Sequence, residues 1–178
     1  MRRFSLVIAS LILLLPGPTP TKAEFIGNAY GGQAEEATRS AGAHAFTAHE
    51  SFYAAMAQLE KRSPGEARPL FAKAIAEFRS SREEYARAAP LLRGKPFDMS
   101  RLPPLEQQTL LQYLGPFKAT PGSDQADMLQ AFADSFGQTA AMIESASNEM
   151  TLAKFRQLQS EINRQILVGT SISRGLGR

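Results

Sequence analysis

The chain predicts an all-α fold: a four-helix bundle of two αα-hairpins joined by a long Pro/Leu-rich connection that contains a short helix. Three observations predict it. Apolar residues recur every three or four positions in four separate stretches, and no stretch alternates with the period of a strand. Short turns around Ser63 to Gly65 and around "SASNEM" divide each pair of stretches into antiparallel neighbours. Six prolines, at 90, 96, 103, 104, 116 and 121, exclude a long helix between the pairs.

The first 23 residues stand apart from the fold. Arg2 and Arg3 precede the apolar run Leu6 to Leu15, followed by Pro16, Pro18, Pro20 and the cleavage-like triplet Thr21, Lys22, Ala23. This is the pattern of a secretory signal peptide cut near Ala23, with a periplasmic or secreted mature chain. A helix crossing a bilayer needs roughly 20 apolar residues, and no later stretch is free of charges for that long, so no membrane span is expected in the mature chain. Residues 24–42 read as a flexible N-terminal segment, because Gly27, Gly31 and Gly32 interrupt any period up to residue 33 and Gly42 then interrupts an alanine-rich run, which leaves the start of the first helix anywhere between about Gln33 and Ala43. A single helical domain is expected over 43–169, with a frayed tail over 170–178.

Without that leader the charge balance changes. Arg2, Arg3 and Lys22 are three of the 20 basic residues, and all 17 acidic residues follow Ala23, so the remainder is neutral. Phosphate binding takes clustered surplus Lys and Arg, which excludes nucleic acid as the expected partner. Cysteine is absent, which excludes disulfides, thiolate metal sites, CxxCH haem attachment and a cysteine nucleophile.

The first helix carries Ala45, Ala48, Phe52, Met56 and Leu59 on one face and stops at Lys61 and Arg62. The second opens at Ser63-Pro64-Gly65-Glu66, the pattern of a capping box with proline in the first turn. Pro69 sits deep enough to demand a kink or a later start. Its stripe is Phe71, Ala74, Ile75, Phe78, Tyr85 and Ala89, and Arg79, Glu83 and Arg87 form an ion-pair ladder opposite. Within the connection, "PPLEQQTLLQYLG" is a short helix opened by Pro103 and Pro104 and closed by Gly115. The third long helix opens near Ser123 with Asp124 and Asp127 in its first turn, where carboxylates favour the helix dipole. It presents Met128 or Leu129, Phe132, Phe136, Ala140 and Ile143. The fourth presents Leu152, Phe155, Leu158, Ile162 and Ile166, ending by Gly169.

"HAFTAHESFY" holds both histidines of the chain. At about 100° per residue His44 and His49 fall about 140° apart on the helix, on opposite edges of the apolar stripe, with about 7.5 Å of rise between them. An unbroken helix cannot place both imidazoles on one ion at roughly 2.0 Å. "HESFY" keeps His49 and Glu50 of the zincin pattern HExxH, but Tyr53 stands at the second ligand position. "GAHAFT" resembles the GxHxxE motif of imelysin-like periplasmic proteins, which are helical and associated with iron uptake, with Thr47 where the glutamate belongs. "GEARPLFAKAI" resembles the second helix of a tetratricopeptide repeat, with Ala67, Phe71, Ala74 and Ile75 at its packing positions, and no second copy follows.

No catalytic residue, metal site or cofactor is assigned, and no GxSxG, Walker or dinucleotide glycine pattern occurs. The leading expectation is a non-enzymatic exported bundle that binds a protein or peptide partner in the bacterial envelope. Its contact surface is placed on the connection, at Leu91, Leu92, Phe97, Met99, Leu102, Leu105 and Phe117, because loops that long usually have a role. The alternative is a periplasmic haem, metal or small-molecule carrier with His44 or His49 as a bundle-core ligand.

Overall fold

The computed structural model describes residues 32–176. The signal-peptide and cleavage expectations fall on residues outside that range. The described residues are all-helical and contain no strand. They form α1 (Gln33–Glu60), α2 (Pro64–Ala88), the short α3 (Pro104–Leu114), α4 (Gln125–Ser147) and α5 (Leu152–Leu176), with 3-10 turns at Ala89–Leu92, Met99–Arg101 and Gly115–Phe117. No helix among them is long and apolar enough to cross a membrane.

Two boundaries differ from the sequence reading. The first helix begins at Gln33, so residues 33–42 are helical rather than a flexible segment, with Ala34, Ala37, Ala41 and Gly42 buried along it. Alanine scores low on hydrophobicity but has the highest helix propensity, and a face of small residues lets a neighbour approach closely. The last helix continues to Leu176 rather than ending by Gly169 in a frayed tail, and Ile172, Gly175 and Leu176 are buried. Final helix carbonyls lack partners within their own helix. Here the Asp98 amide donates to the Gly175 carbonyl at 3.0 Å, and Gln125 Nε2 donates to that of Leu176 at 3.1 Å. Gly175 lies so close under Phe97 that a Cβ would stand 2.2 Å from the ring.

The expected capping box is also absent. The Ser63 side chain makes no capping bond, and its carbonyl instead accepts from the Glu66 and Ala67 amides at 3.1 Å. The helix still starts at Pro64. Pro69 lies inside it, removing only the amide that would have bonded Gly65, one turn from the start. Asp124 does cap α4, accepting from the Asp127 amide at 2.9 Å and from the Gly94 amide at 3.0 Å. These bonds hold its carboxyl below the usual range.

Each long helix turns a seven-residue repeat inward. In α1 the repeat is Ala34, Ala41, Ala48 and Ala55 beside Thr38, Ala45, Phe52 and Leu59; in α2 it is Ala67, Ala74, Ser81 and Ala88 beside Phe71, Phe78 and Tyr85. These small faces make α1 and α2 the most extensively packed pair of helices. The rings of α2 reach past them to the other pair. Phe71 stacks on Phe155 of α5 at 4.0 Å, Phe78 meets Phe136 of α4 at 5.9 Å, and Tyr85 meets Phe132 and Phe136 at 5.4 and 5.6 Å. Such pairs add about 0.5–1.5 kcal/mol each beyond burial itself. The pairing residues run in opposite directions along neighbouring helices, so α2 and α4 are antiparallel.

The connection is folded onto the helices. Leu92, Phe97, Leu102, Leu110 and Leu114 join the core, and α3 lies against α5, where Glu106 accepts from Ser171 at 3.0 Å and pairs with Arg174.

Candidate functional site

The structure does not gather the seven connection residues on one surface. Leu92, Phe97 and Leu102 are core side chains and offer nothing to a partner. Met99 and Phe117 are half-buried against that core. Leu91 and Leu105 are exposed, at 46% and 75%. A proline-rich segment with this many leucines is thus largely a cover over its own helices, because burying each leucine stabilises the fold by about 1.5–3 kcal/mol.

The histidines are separated by environment as well as by turn. His44 Nδ1 lies 2.6 Å from Glu77 Oε2 of α2, partly exposed, as a tie between the first two helices. His49 is buried. Its Nδ1 donates to the Ala45 carbonyl at 2.6 Å, its ring stands edge-on to Phe78 at 5.1 Å, and the Ile162 carbonyl of α5 lies against it. Burial penalises the imidazolium and lowers the pKa to about 4, so the ring is neutral at ordinary pH. Thr47, at the position of the imelysin-type glutamate, donates to the Ala43 carbonyl at 3.0 Å along its own helix. Among the described residues no three His, Asp or Glu side chains converge as a metal-ligand set.

A different place has the form of a site. Between α3, α4 and α5 lies a cleft of about 340 Å³, within the range of small-molecule sites. Its existence follows from packing. Tyr113 of α3 enters between α4 and α5, and those two helices meet over a shorter stretch than α1 and α2 do. Pro116, Phe117 and Met142 supply an apolar wall, while Glu161 and Arg164 stand at the α5 edge with Arg164 Nη1 3.4 Å from Glu161 Oε1. A second hollow of about 430 Å³ continues along the α4–α5 seam and shares Met142 and Glu161 with the first.

The floor is a polar layer. Gln165, fully buried, donates from Nε2 to Ser135 Oγ at 3.1 Å and to Thr139 Oγ1 at 3.4 Å. Both hydroxyls give their protons to α4 carbonyls, Ser135 to Phe132 at 2.7 Å and Thr139 to Ser135 at 3.0 Å. That fixes the amide orientation, since only an N–H can face two hydroxyls whose protons are already committed. Gln165 Oε1 is left buried with no hydrogen-bond partner. Tyr113 lines the same cleft, and desolvation by burial, followed by the Glu161 charge as the next raising influence, pushes its phenol up to about 12, so it stays protonated at neutral pH.

The sequence reading missed this site. Gln165 sits at an inward position of α5, flanked one turn away on each side by Ile162 and Gly169, and a glutamine on an apolar stripe was a signal. Ser135 and Thr139 share one face of α4 with Met142, which was a second. Neither says which helix stands opposite. In comparisons with protein-family models, characterised proteins and solved structures, nothing matches this chain.

Proposed function

We propose that the chain is an exported, non-enzymatic helical bundle that binds a peptide or peptide-like small molecule, and that the cleft between α3, α4 and α5 is where it binds. In this reading the four long helices form the bundle and α3 is the wedge that holds the cleft open. The observation that carries it is the cleft's make-up: an apolar wall, a hydrogen-bonding floor and charges of both signs at the edge, the composition by which small ligands are oriented. The histidine-ligand version of a carrier finds less support, because His49 is enclosed and bonded to backbone while His44 is engaged by Glu77. Export rests on residues 1–23 alone.

Native mass spectrometry of the protein purified from the envelope of its own host tests the reading. The expected result is an added mass that is lost in Met142→Trp, which fills the boundary between the two hollows. A bare polypeptide, or an added mass indifferent to that substitution, would overturn it. A protein-partner reading is favoured by a separate observation, the exposure of Leu91, Leu105 and Leu167. It requires that Leu91→Glu or Leu105→Glu release a copurifying protein.

A further inference from the structure

We infer that the ligand of the α3–α4–α5 cleft is a free α-amino acid with an apolar side chain, held as a zwitterion between Arg164 and Glu161; this rests on the binding reading above. Two hydroxyl oxygens, Ser135 Oγ and Thr139 Oγ1, have four lone pairs between them, and their protons are spent on backbone carbonyls. Gln165 Nε2 donates one proton to each, which leaves one lone pair open on each oxygen. Ser135 and Thr139 both line the cleft. The site is therefore short of donors, and an unmet buried acceptor costs about 1–3 kcal/mol. An ammonium group brings three donors.

The edge selects the other half of the ligand. Arg164 and Glu161 are one helical turn apart, touch at a single 3.4 Å contact and are 49% and 38% exposed, an ion pair worth at most about 1 kcal/mol and cheaply opened. A singly charged ligand would satisfy one of them and leave the other partly desolvated beside a like charge. An α-amino acid carries its carboxylate and ammonium on one carbon, matching a guanidinium and a carboxylate that stand side by side. A guanidinium also receives a carboxylate in bidentate fashion, which a lysine would not. The side chain of the ligand then lies against Met142, Pro116 and Phe117.

Isothermal titration calorimetry on the full chain with three probes tests this: leucine, leucinamide, which lacks the carboxylate, and N-acetyl-leucine, which lacks the ammonium. Leucine is expected to bind, and each capped analogue to bind at least about tenfold more weakly, the scale of one lost charge-assisted hydrogen bond. Arg164→Gln and Glu161→Gln should each lose about tenfold in leucine affinity with an unchanged thermal melt, because both side chains reach solvent. Equal binding of the capped analogues would overturn the zwitterion. So would no leucine binding at millimolar concentration. If that failure accompanies a host-derived mass that Met142→Trp removes, the amino-acid inference falls and the cleft reading stands. If the host-derived mass is also absent, both fall.

Discussion

The α1–α2 hairpin and the α4–α5 pair are built from the same seven-residue repeat and solve it in opposite ways. Alanines at 34, 41, 48 and 55 face a partner helix whose own small positions are Ala67, Ala74, Ser81 and Ala88, so the two helices pack more extensively than any other pair among the described residues. In α4 and α5 the inward positions hold Phe132, Phe136 and Ile143, and Phe155, Leu158 and Ile162, with Gln165 and Thr139 in the same rows, and the rings of both helices pack against α2. The two helices meet over a shorter stretch, and Tyr113 of α3 lines the cleft beside them together with Ser135 and Thr139. One half is packed tightly, and the looser packing of the other leaves a cleft.

Four measurements test that contrast. Removing a ring that joins the halves has the largest expected effect. Phe155→Ala deletes a fully buried ring stacked on Phe71 and should cost about 3–5 kcal/mol in chemical denaturation. A loss under 1 kcal/mol would mean the two pairs of helices are not coupled through these rings.

A pH scan comes next. The folded state lowers the His49 pKa from 6.5 to about 4, so the unfolded chain takes up the proton first. Stability is then complete above about pH 6.5, falls as pH drops towards 4 and levels off below it, by on the order of 3 kcal/mol from this group. His49→Phe should flatten that part of the profile, and an unaltered slope would assign it to other groups.

Overpacking the tight seam follows. Ala48→Leu or Ala74→Leu places three extra carbons where two helices touch and should cost about 1–3 kcal/mol, read as a lower denaturation midpoint. The smallest effect belongs to the loose half. Gln165→Met keeps the volume, removes the unpartnered Oε1 and gives up two weak donors, so stability should stay within about 1 kcal/mol of the parent. A large loss there would show that the polar layer holds the helices together instead of receiving a ligand.

The stripes expected from periodicity are inward ones: Ala45, Ala48, Phe52, Met56 and Leu59 in α1 and Phe132, Phe136, Ala140 and Ile143 in α4 are all buried. The short helix between Pro104 and Leu114 was legible for a local reason, since prolines open a helix without losing a needed amide. The errors were tertiary in origin. Residues 33–42 read as flexible because Gly42 interrupts the alanine-rich run, and they are helical and buried along one face. Residues 170–176 looked like a tail and are helical because Asp98 and Gln125, far away in sequence, supply donors to their last carbonyls.

The candidate site divides the same way. Leu92, Phe97 and Leu102 were rightly singled out as apolar, but apolarity alone does not tell a cover from a docking surface; only the fold shows which side of the chain faces the core. The amino-acid sequence by itself determined the helical class, the number of long helices and their inward faces, because those depend on spacing and propensity within a turn or two. Which faces meet, how closely, and therefore where a cleft opens were decided only in the tertiary structure. Alanine against alanine closes the α1–α2 seam while the rings of α4 and α5 turn to α2, and no single helix carries that information.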